Sequence, residues 1–152
     1  MTASPTTVGN PFLDKAIINS FIEIVSEVFS SHTKTPVTCG KVYIEKSFNI
    51  HGDLAGIIAM TGGTLKGTLS VSFPQSAILH IMENQLGQKY QQLSKATHDS
   101  VGEYTSLIYR VAIDVLKKHG YKFDPALPTV IPGHFAEKMS HHGVTLIIPM
   151  RL

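Results

Sequence analysis

Cysteine is almost absent from this chain, with Cys39 the only one among 152 residues. A single cysteine excludes an intramolecular disulfide and a zinc site built from several thiolates. This usage is typical of a cytoplasmic protein, and we expect that location. The first eight residues, MTASPTTV, lack the basic start and apolar run of a signal peptide, which agrees with the same expectation.

An excess of charge of one sign is also lacking. The formal net charge is +2 and no dense Lys/Arg cluster occurs, so we do not predict nucleic-acid binding. No apolar run approaches the roughly 18 residues that a membrane span needs. The chain is 43% hydrophobic and 16% charged, which favours a folded core. We expect one domain over residues 10–152 and a flexible N-terminus over residues 1–9.

The clearest pattern lies in residues 94–120. Apolar residues recur there at steps of three and four, which predicts an amphipathic helix ending near Gly120. The stripe consists of Val101, Tyr104, Ile108, Val111 and Val115, widened by Ala112 and Leu116. At about 100° per residue, six polar side chains share the opposite face. We call them the polar row: Asp99, Glu103, Ser106, Arg110, Asp114 and Lys117. By itself such a row is usually a solvated face, with Arg110 and Asp114 as an ordinary i,i+4 pair.

The other segments predict an α+β fold. Asn10 is a suitable N-cap and Pro11 a suitable first residue for a helix that ends near residues 30–31. Its apolar stripe is Leu13, Ile17, Phe21, Ile24 and Val28. Strands are predicted over residues 37–45, 54–61, 68–73, 129–131 and 144–148, with a hairpin turn over residues 61–64 and a short helix ending at Gly87. The expected architecture is a mostly antiparallel sheet with long α-helices packed on one face.

Two chemical motifs are weak. The glycine-rich turn at residues 61–64 precedes a strand and lacks GK[ST], so it is not a phosphate-binding P-loop. His134, His141 and His142 lie close together in sequence, but no carboxylate or thiol stands at ligand spacing, so we favour a solvated loop over a metal site. No Ser-His-Asp or Cys-His set for covalent catalysis is visible.

The order of residues in the polar row carries more information. Asp99-x3-Glu103-x2-Ser106, within HDSVGEYTSLI, resembles the signature helix of the CheC/CheX family of bacterial chemotaxis phosphatases, most closely its CheX-like branch. That pattern is an acidic residue or Ser, then Glu four later, then Asn three after the Glu. Further short motifs resemble the family in the expected order: residues 10–12 (NPF), 53–58 (DLAGII), 66–74 (KGTLSVSFP), 127–133 (LPTVIPG) and 147–149 (IIP).

The resemblance implies the same fold and a partner. Such a protein dephosphorylates the phosphoaspartate of a CheY-like response-regulator receiver in chemotaxis signalling. Glu103 then pairs with a conserved lysine of the receiver, Ser106 holds the water-orienting place, and Asp99 and Arg110 contact the partner. The expected Mg²⁺ belongs to the receiver, and we expect no cofactor or metal of the protein's own. The resemblance also implies a homodimer formed through sheet edges, with residues 144–148 as the candidate edge.

One departure leaves the activity open, because Ser106 stands where the family has Asn. A Ser hydroxyl is shorter than an Asn amide and can bond back to its own helix. We therefore carry two hypotheses, a phosphatase that is weaker than its relatives and a non-catalytic module that binds a receiver or an adaptor. An unrelated role on the same fold is a third. Glu23 and Ser26 repeat the Glu-x2-Ser spacing in the first helix, and a chance recurrence is favoured over a second site.

Overall fold

The computed structural model describes residues 11–46, 51–133 and 145–152. A 3-10 turn at Pro11–Leu13 precedes α1 (Lys15–Thr33) and two short strands, β1 (Thr38–Cys39) and β2 (Tyr43–Glu45). A hairpin of β3 (Leu54–Gly62) and β4 (Leu65–Phe73) leads to α2 (Gln75–Leu86) and α3 (Lys95–Lys118). The chain then forms β5 (Thr129–Pro132), β6 (Thr145–Ile147) and β7 (Met150–Arg151).

The first helix begins later than predicted. Asp14 is its N-cap and accepts a hydrogen bond from the Ala16 backbone N–H at 2.9 Å, so Pro11 opens a separate 3-10 turn. An Asp carboxylate can satisfy the first free N–H groups of a helix, which explains this start. The predicted cap Asn10 lies outside the described residues. The predicted stripe faces the core but is wider than expected: Val25 and Phe29 are the most buried residues of its second half, while Ile24 and Val28 are partly buried and pack against the core.

The other two helices are close to the prediction. α2 ends at Gly87, whose φ of 72° lies in the left-handed region that glycine adopts without strain. α3 begins after Ser94, whose backbone N–H donates to the Thr97 hydroxyl at 2.7 Å. Its apolar stripe is buried as expected, apart from Ile108, which is only partly buried.

Every strand pairing in the described part of the chain is antiparallel. β3 is the central strand of a three-stranded sheet in the order β4-β3-β5. The hairpin register runs from Leu54 opposite Phe73 to Gly62 opposite Leu65, so the predicted turn is confirmed. β5 pairs along the other edge of β3, with Gly56 opposite Val130.

The segment predicted as one strand over residues 37–45 is two short strands. β1 pairs with β7 and β2 pairs with β6, each as a separate two-stranded ribbon. Gly40 stands at the break, where its backbone N–H donates to the Pro149 carbonyl at 2.7 Å. The sequence predicts a single sheet, whereas the described part of the chain forms a three-stranded sheet and two separate ribbons.

The helices pack on one face of the three-stranded sheet, as predicted. One apolar cluster joins Ile17 and Val25 of α1 to Ile58 and Met60 of β3 and to the second half of α3. A second cluster joins Phe29 of α1, much of α2 and the first half of α3. α3 contributes to both clusters, so this helix is fixed along most of its length. Among the helices described, none is both long enough and apolar enough to cross a membrane.

Candidate functional site

The site is built on α3, and a glycine sets how closely that helix approaches the sheet. A Cβ atom at Gly56 would lie 1.9 Å from the Thr105 hydroxyl oxygen and 2.7 Å from the Thr105 Cβ. Only a residue without a side chain fits beneath Thr105, because real Cβ atoms do not approach heavy atoms that closely. Thr105 is itself fully buried, and the next residue in the helix is Ser106. The contact therefore fixes the height of Ser106 above the sheet.

Small polar residues make this close approach possible without unsatisfied groups. The Thr105 hydroxyl donates to the Val101 carbonyl at 2.7 Å, within the helix. Thr97 is also fully buried, and its hydroxyl lies 2.6 Å from the Ser94 carbonyl. Such local hydrogen bonds offset the cost of burying a hydroxyl.

Two tyrosines of α3 form hydrogen bonds to the segments on either side of it in the chain. Tyr104 is fully buried, and its hydroxyl donates to Gln85 at the end of α2. Burial raises the pKa of Tyr104 to about 12, and the nearby carboxylate of Glu103 adds to the rise. Tyr109 donates to the Asp124 carbonyl at 2.6 Å, and burial raises the pKa of its phenol as well. These bonds tie the helix to the segments before and after it.

The polar row lies where the periodicity predicts. Asp99, Glu103 and Arg110 are exposed, and Ser106 is half-buried. The Lys95 ammonium lies 3.2 Å from the Asp99 carboxylate, but both side chains are exposed, so the pair contributes little to stability. The expected pair of Arg110 with Asp114 does not form. Within the described ranges Glu103 and Arg110 make no ion pair, which leaves both charges available to a partner.

Ser106 differs from the threonines beside it. Its hydroxyl makes no hydrogen bond to another described residue, whereas the Thr105 hydroxyl is bonded to its own helix. Residue 102, one turn earlier, is a glycine, so no side chain from that turn of α3 covers Ser106, although the Val130 side chain would lie 3.6 Å from a Cβ at Gly102. Glu103 and Ser106 stand three residues apart on one face of a fixed helix. They can enter one cleft of a partner together, one as an anion and one as a neutral hydrogen-bonding group.

The weaker candidates stay separate from this site. Glu23 is exposed and Ser26 half-buried on α1, with the spacing that the sequence shows and no further sign of a second site. His134, His141 and His142 lie outside the described residues. Within the described ranges, no group of three His, Cys, Asp or Glu side chains could hold a metal ion.

Sequence reasoning missed the contacts that position the site. The Gly56–Thr105 contact joins residues far apart in the chain, and the bonds from Tyr104 and Tyr109 depend on where neighbouring segments lie. The pair Ser94 and Thr97 could have been found, since Ser-x-x-Thr is close to the Ser-x-x-Glu pattern of a capping box.

Comparison with known proteins identifies the family whose members share the segment that contains this site. Residues 54–149, more than half of the chain, match the family described as Chemotaxis phosphatase CheX. A CheY-P phosphatase CheX from Thermotoga maritima is 28% identical over 136 residues, covering 89% of this chain and 84% of that protein.

Solved structures agree on the fold. A CheC-like superfamily protein from Shewanella sp. PV-4 is similar with a TM-score of 0.77 and 29% identity, covering 92% of each chain. CheX in a CheX–CheY–BeF₃–Mg²⁺ complex from Borrelia burgdorferi is similar with a TM-score of 0.70 and 21% identity, covering 90% of this chain and 89% of that one. At that identity the second likeness concerns the fold alone.

Proposed function

Because this chain belongs to the CheX family of chemotaxis phosphatases, we propose that it acts on a phosphorylated CheY-like receiver domain through the polar row of α3. The observation that carries the proposal is the pair Glu103 and Ser106. Both are accessible, neither has a partner among the described residues, and the helix beneath them is fixed against Gly56. The relative from Thermotoga maritima, a CheY-P phosphatase CheX, supports a partner of this class. We place the protein in the cytoplasm with that receiver.

The proposed reaction is hydrolysis of the receiver's aspartyl phosphate. Water attacks phosphorus in line, the bond from phosphorus to the aspartate oxygen breaks, and inorganic phosphate and the free carboxylate are formed. The receiver's own Mg²⁺ stabilises the charge on the phosphoryl oxygens. This chain adds two groups. Glu103 pairs with a receiver lysine and fixes the docked geometry, while the Ser106 hydroxyl orients the attacking water. Asp99 and Arg110 flank these two and contact the receiver.

A non-catalytic receiver-binding module is the second candidate, and the identity of residue 106 favours it. A Ser hydroxyl reaches less far than an Asn amide, and a misplacement of roughly 1 Å can reduce a rate about a hundredfold. Glu103 is unaffected by this difference at residue 106. Receiver binding therefore depends on fewer of the family's residues than hydrolysis does. In this case the protein binds the phosphorylated receiver, or a chemotaxis adaptor, without shortening the lifetime of the phosphoryl group.

We further propose that the protein is a homodimer joined through sheet edges. In the described part of the chain, the outer edge of β4 has no paired strand and β6 is paired on one side only, with β2. A groove of about 480 Å³ separates β4 from the segment that contains β6 and β7, and its walls are mostly apolar. Unpaired edges beside an apolar groove favour association with a second copy. Val144, part of the edge proposed from the sequence, lies outside the described residues.

The decisive experiment measures phosphate release from each receiver encoded near this protein, after phosphorylation with acetyl phosphate. We expect acceleration by the wild type and none by Glu103→Ala. Glu27→Ala is the matched control, an exposed glutamate on α1, and should behave like the wild type. Both exposed changes should leave the midpoint of thermal unfolding nearly unaltered. A well-folded Glu103→Ala protein with full activity would refute the site, whereas phospho-dependent binding without acceleration would establish the non-catalytic module.

A further inference from the structure

Gln85, near the end of α2, has a side-chain amide that is bonded on one side only. Its oxygen accepts a hydrogen bond from the hydroxyl of the fully buried Tyr104. Its nitrogen makes no hydrogen bond to another described residue, and it is not among the buried side-chain atoms that lack a partner in the described part of the chain. Gln85 therefore presents an N–H donor to solvent from an amide that is held in place beneath.

The hydroxyl that holds this amide lies towards the flank of α3 that carries Glu103. Ser100, one turn before Tyr104, forms a hydrogen bond with the same hydroxyl. At about 100° per residue, Ser100 is about 40° around the helix from Tyr104, and Glu103 is about 60° further in the same direction. Because the hydroxyl is bonded to Ser100, it is displaced towards Glu103, and Gln85 meets it on that flank.

Glu103 itself acts on the Tyr104 hydroxyl. Burial raises the pKa of Tyr104 to about 12, the hydrogen bond from Ser100 opposes the rise, and the Glu103 carboxylate adds to it. A charge shifts the pKa of another group in this way when the two lie close together. Ser106 stands about 60° beyond Glu103, on the side away from Ser100. Gln85 therefore borders the polar row beside Glu103 and not beside Ser106.

An amide in this position differs from an ordinary surface glutamine. A free glutamine side chain loses rotamer entropy when a partner orders it, whereas the bond from Tyr104 has already restricted Gln85. The neighbouring residue Asn84 provides a contrast, because its amide donates at 3.1 Å to the hydroxyl of Thr35, in the segment that follows α1. Of these two adjacent amides, the one on Gln85 belongs to the side of α2 that faces α3.

We propose that Gln85 contacts the receiver together with Glu103, its amide N–H donating to an acceptor oxygen beside the lysine that Glu103 pairs with. This inference rests on the proposed function, because Glu103 defines the partner. Tyr104 is then a positioning residue, which does not touch the receiver and fixes the direction of the Gln85 amide. A carboxylate beside a neutral donor requires a cation and an acceptor at matching positions, so the pair contributes to the choice of receiver. Gln85 lies apart from Ser106, so it contributes to binding and leaves the chemical step unchanged.

The test compares two ways of breaking the same hydrogen bond. We would measure Kd for a receiver held with Mg²⁺ and beryllofluoride, which stands in for the phosphoryl group, and kcat and KM for phosphate release. Gln85→Ala removes the donor and should raise Kd and KM about fivefold, the loss of one neutral hydrogen bond, with kcat unchanged. Tyr104→Phe keeps the amide but releases it, and should raise Kd only about twofold. The double variant should bind as Gln85→Ala does, because Tyr104 then has no amide to position.

The control and the remaining outcomes separate this inference from a structural role and from the proposed function. Asn84→Ala is the matched control, an adjacent amide bonded to Thr35, and should keep the wild-type Kd. If Gln85→Ala and Tyr104→Phe raise Kd by the same factor, their bond only stabilises the scaffold and the inference is refuted. If Glu103→Ala abolishes engagement but Gln85→Ala binds as the wild type does, the inference is refuted and the proposed function stands. If the wild type engages no receiver, both are refuted.

Discussion

Replacing Ser106 with asparagine addresses the difference between this chain and its family most directly. The structure offers room for the change. Ser106 is only half-buried, its hydroxyl has no partner among the described residues, and the residue one turn before it is Gly102. The substitution should therefore alter the free energy of unfolding by less than about 0.5 kcal/mol. Any change in activity then reports on the site.

The expected magnitude follows from the geometry of one hydrogen bond. An asparagine amide reaches further than a serine hydroxyl and offers its donors and acceptor in a fixed plane. If the wild type is a handicapped phosphatase, Ser106→Asn recovers one well-placed transition-state interaction of about 1.4–2.7 kcal/mol. This corresponds to a rate increase of roughly 10- to 100-fold. If the protein only binds the receiver, the lifetime of the phosphoryl group is unchanged.

Single-turnover decay of the phosphorylated receiver measures this without a contribution from product release. The series comprises the wild type, Ser106→Asn and Ser106→Ala, each at saturating concentration. A slower Ser106→Asn protein would mean that serine belongs to a distinct working site. A fast wild type matched by an equally fast Ser106→Ala protein would refute our reasoning, because Ser106 would then orient nothing.

Three further predictions concern the scaffold and the assembly. Gly56→Ala should lower the free energy of unfolding by about 3 kcal/mol in chemical denaturation, because its Cβ would meet Thr105, whereas Gly102→Ala, with only an ordinary contact to Val130, should be neutral or stabilising. Burial raises the pKa of Tyr104 from 10.0, its value in the unfolded chain, to about 12. The neutral phenol therefore contributes its full stabilisation of the folded state below pH 10, and this contribution is lost as the pH rises from 10 through 12. Tyr104→Phe should flatten the loss of stability over that window in denaturant titrations. Sedimentation at micromolar concentration should show a dimer, and a single species near 16.6 kDa would contradict the proposed homodimer.

The sequence predicts those parts of the fold that depend on local spacing. The stripe from Val101 to Val115 identifies α3, because a helix repeats its faces every three to four residues. Gly63, with a φ of 60°, permits the tight turn between β3 and β4. The start of α1 was predicted wrongly, since Asn10 and Asp14 are both acceptable caps by composition. Choosing between them depends on the packing of the 3-10 turn, for example Phe12 against Phe123.

The polar row was likewise predictable, but its chemical meaning depends on contacts that no local pattern encodes. Whether such a row is a solvated face or a site depends on how rigidly it is held. Rigidity comes here from the fit of Thr105 over Gly56, residues 49 positions apart that meet only when α3 lies on β3.

Glu103 and Ser106 make different demands on this scaffold. An ion pair between Glu103 and a receiver lysine falls off gradually with distance and tolerates small displacements of α3. Orienting a water molecule is sensitive to shifts of about 1 Å. Gly56→Ala moves the helix at Thr105, one residue from Ser106, so it should impair hydrolysis more than receiver binding. The test compares binding and hydrolysis by Gly56→Ala at a temperature where the variant remains folded. If it loses both to the same degree, the function of Ser106 does not depend on the height that Gly56 sets. The water-orienting role assigned to Ser106 then loses its structural basis.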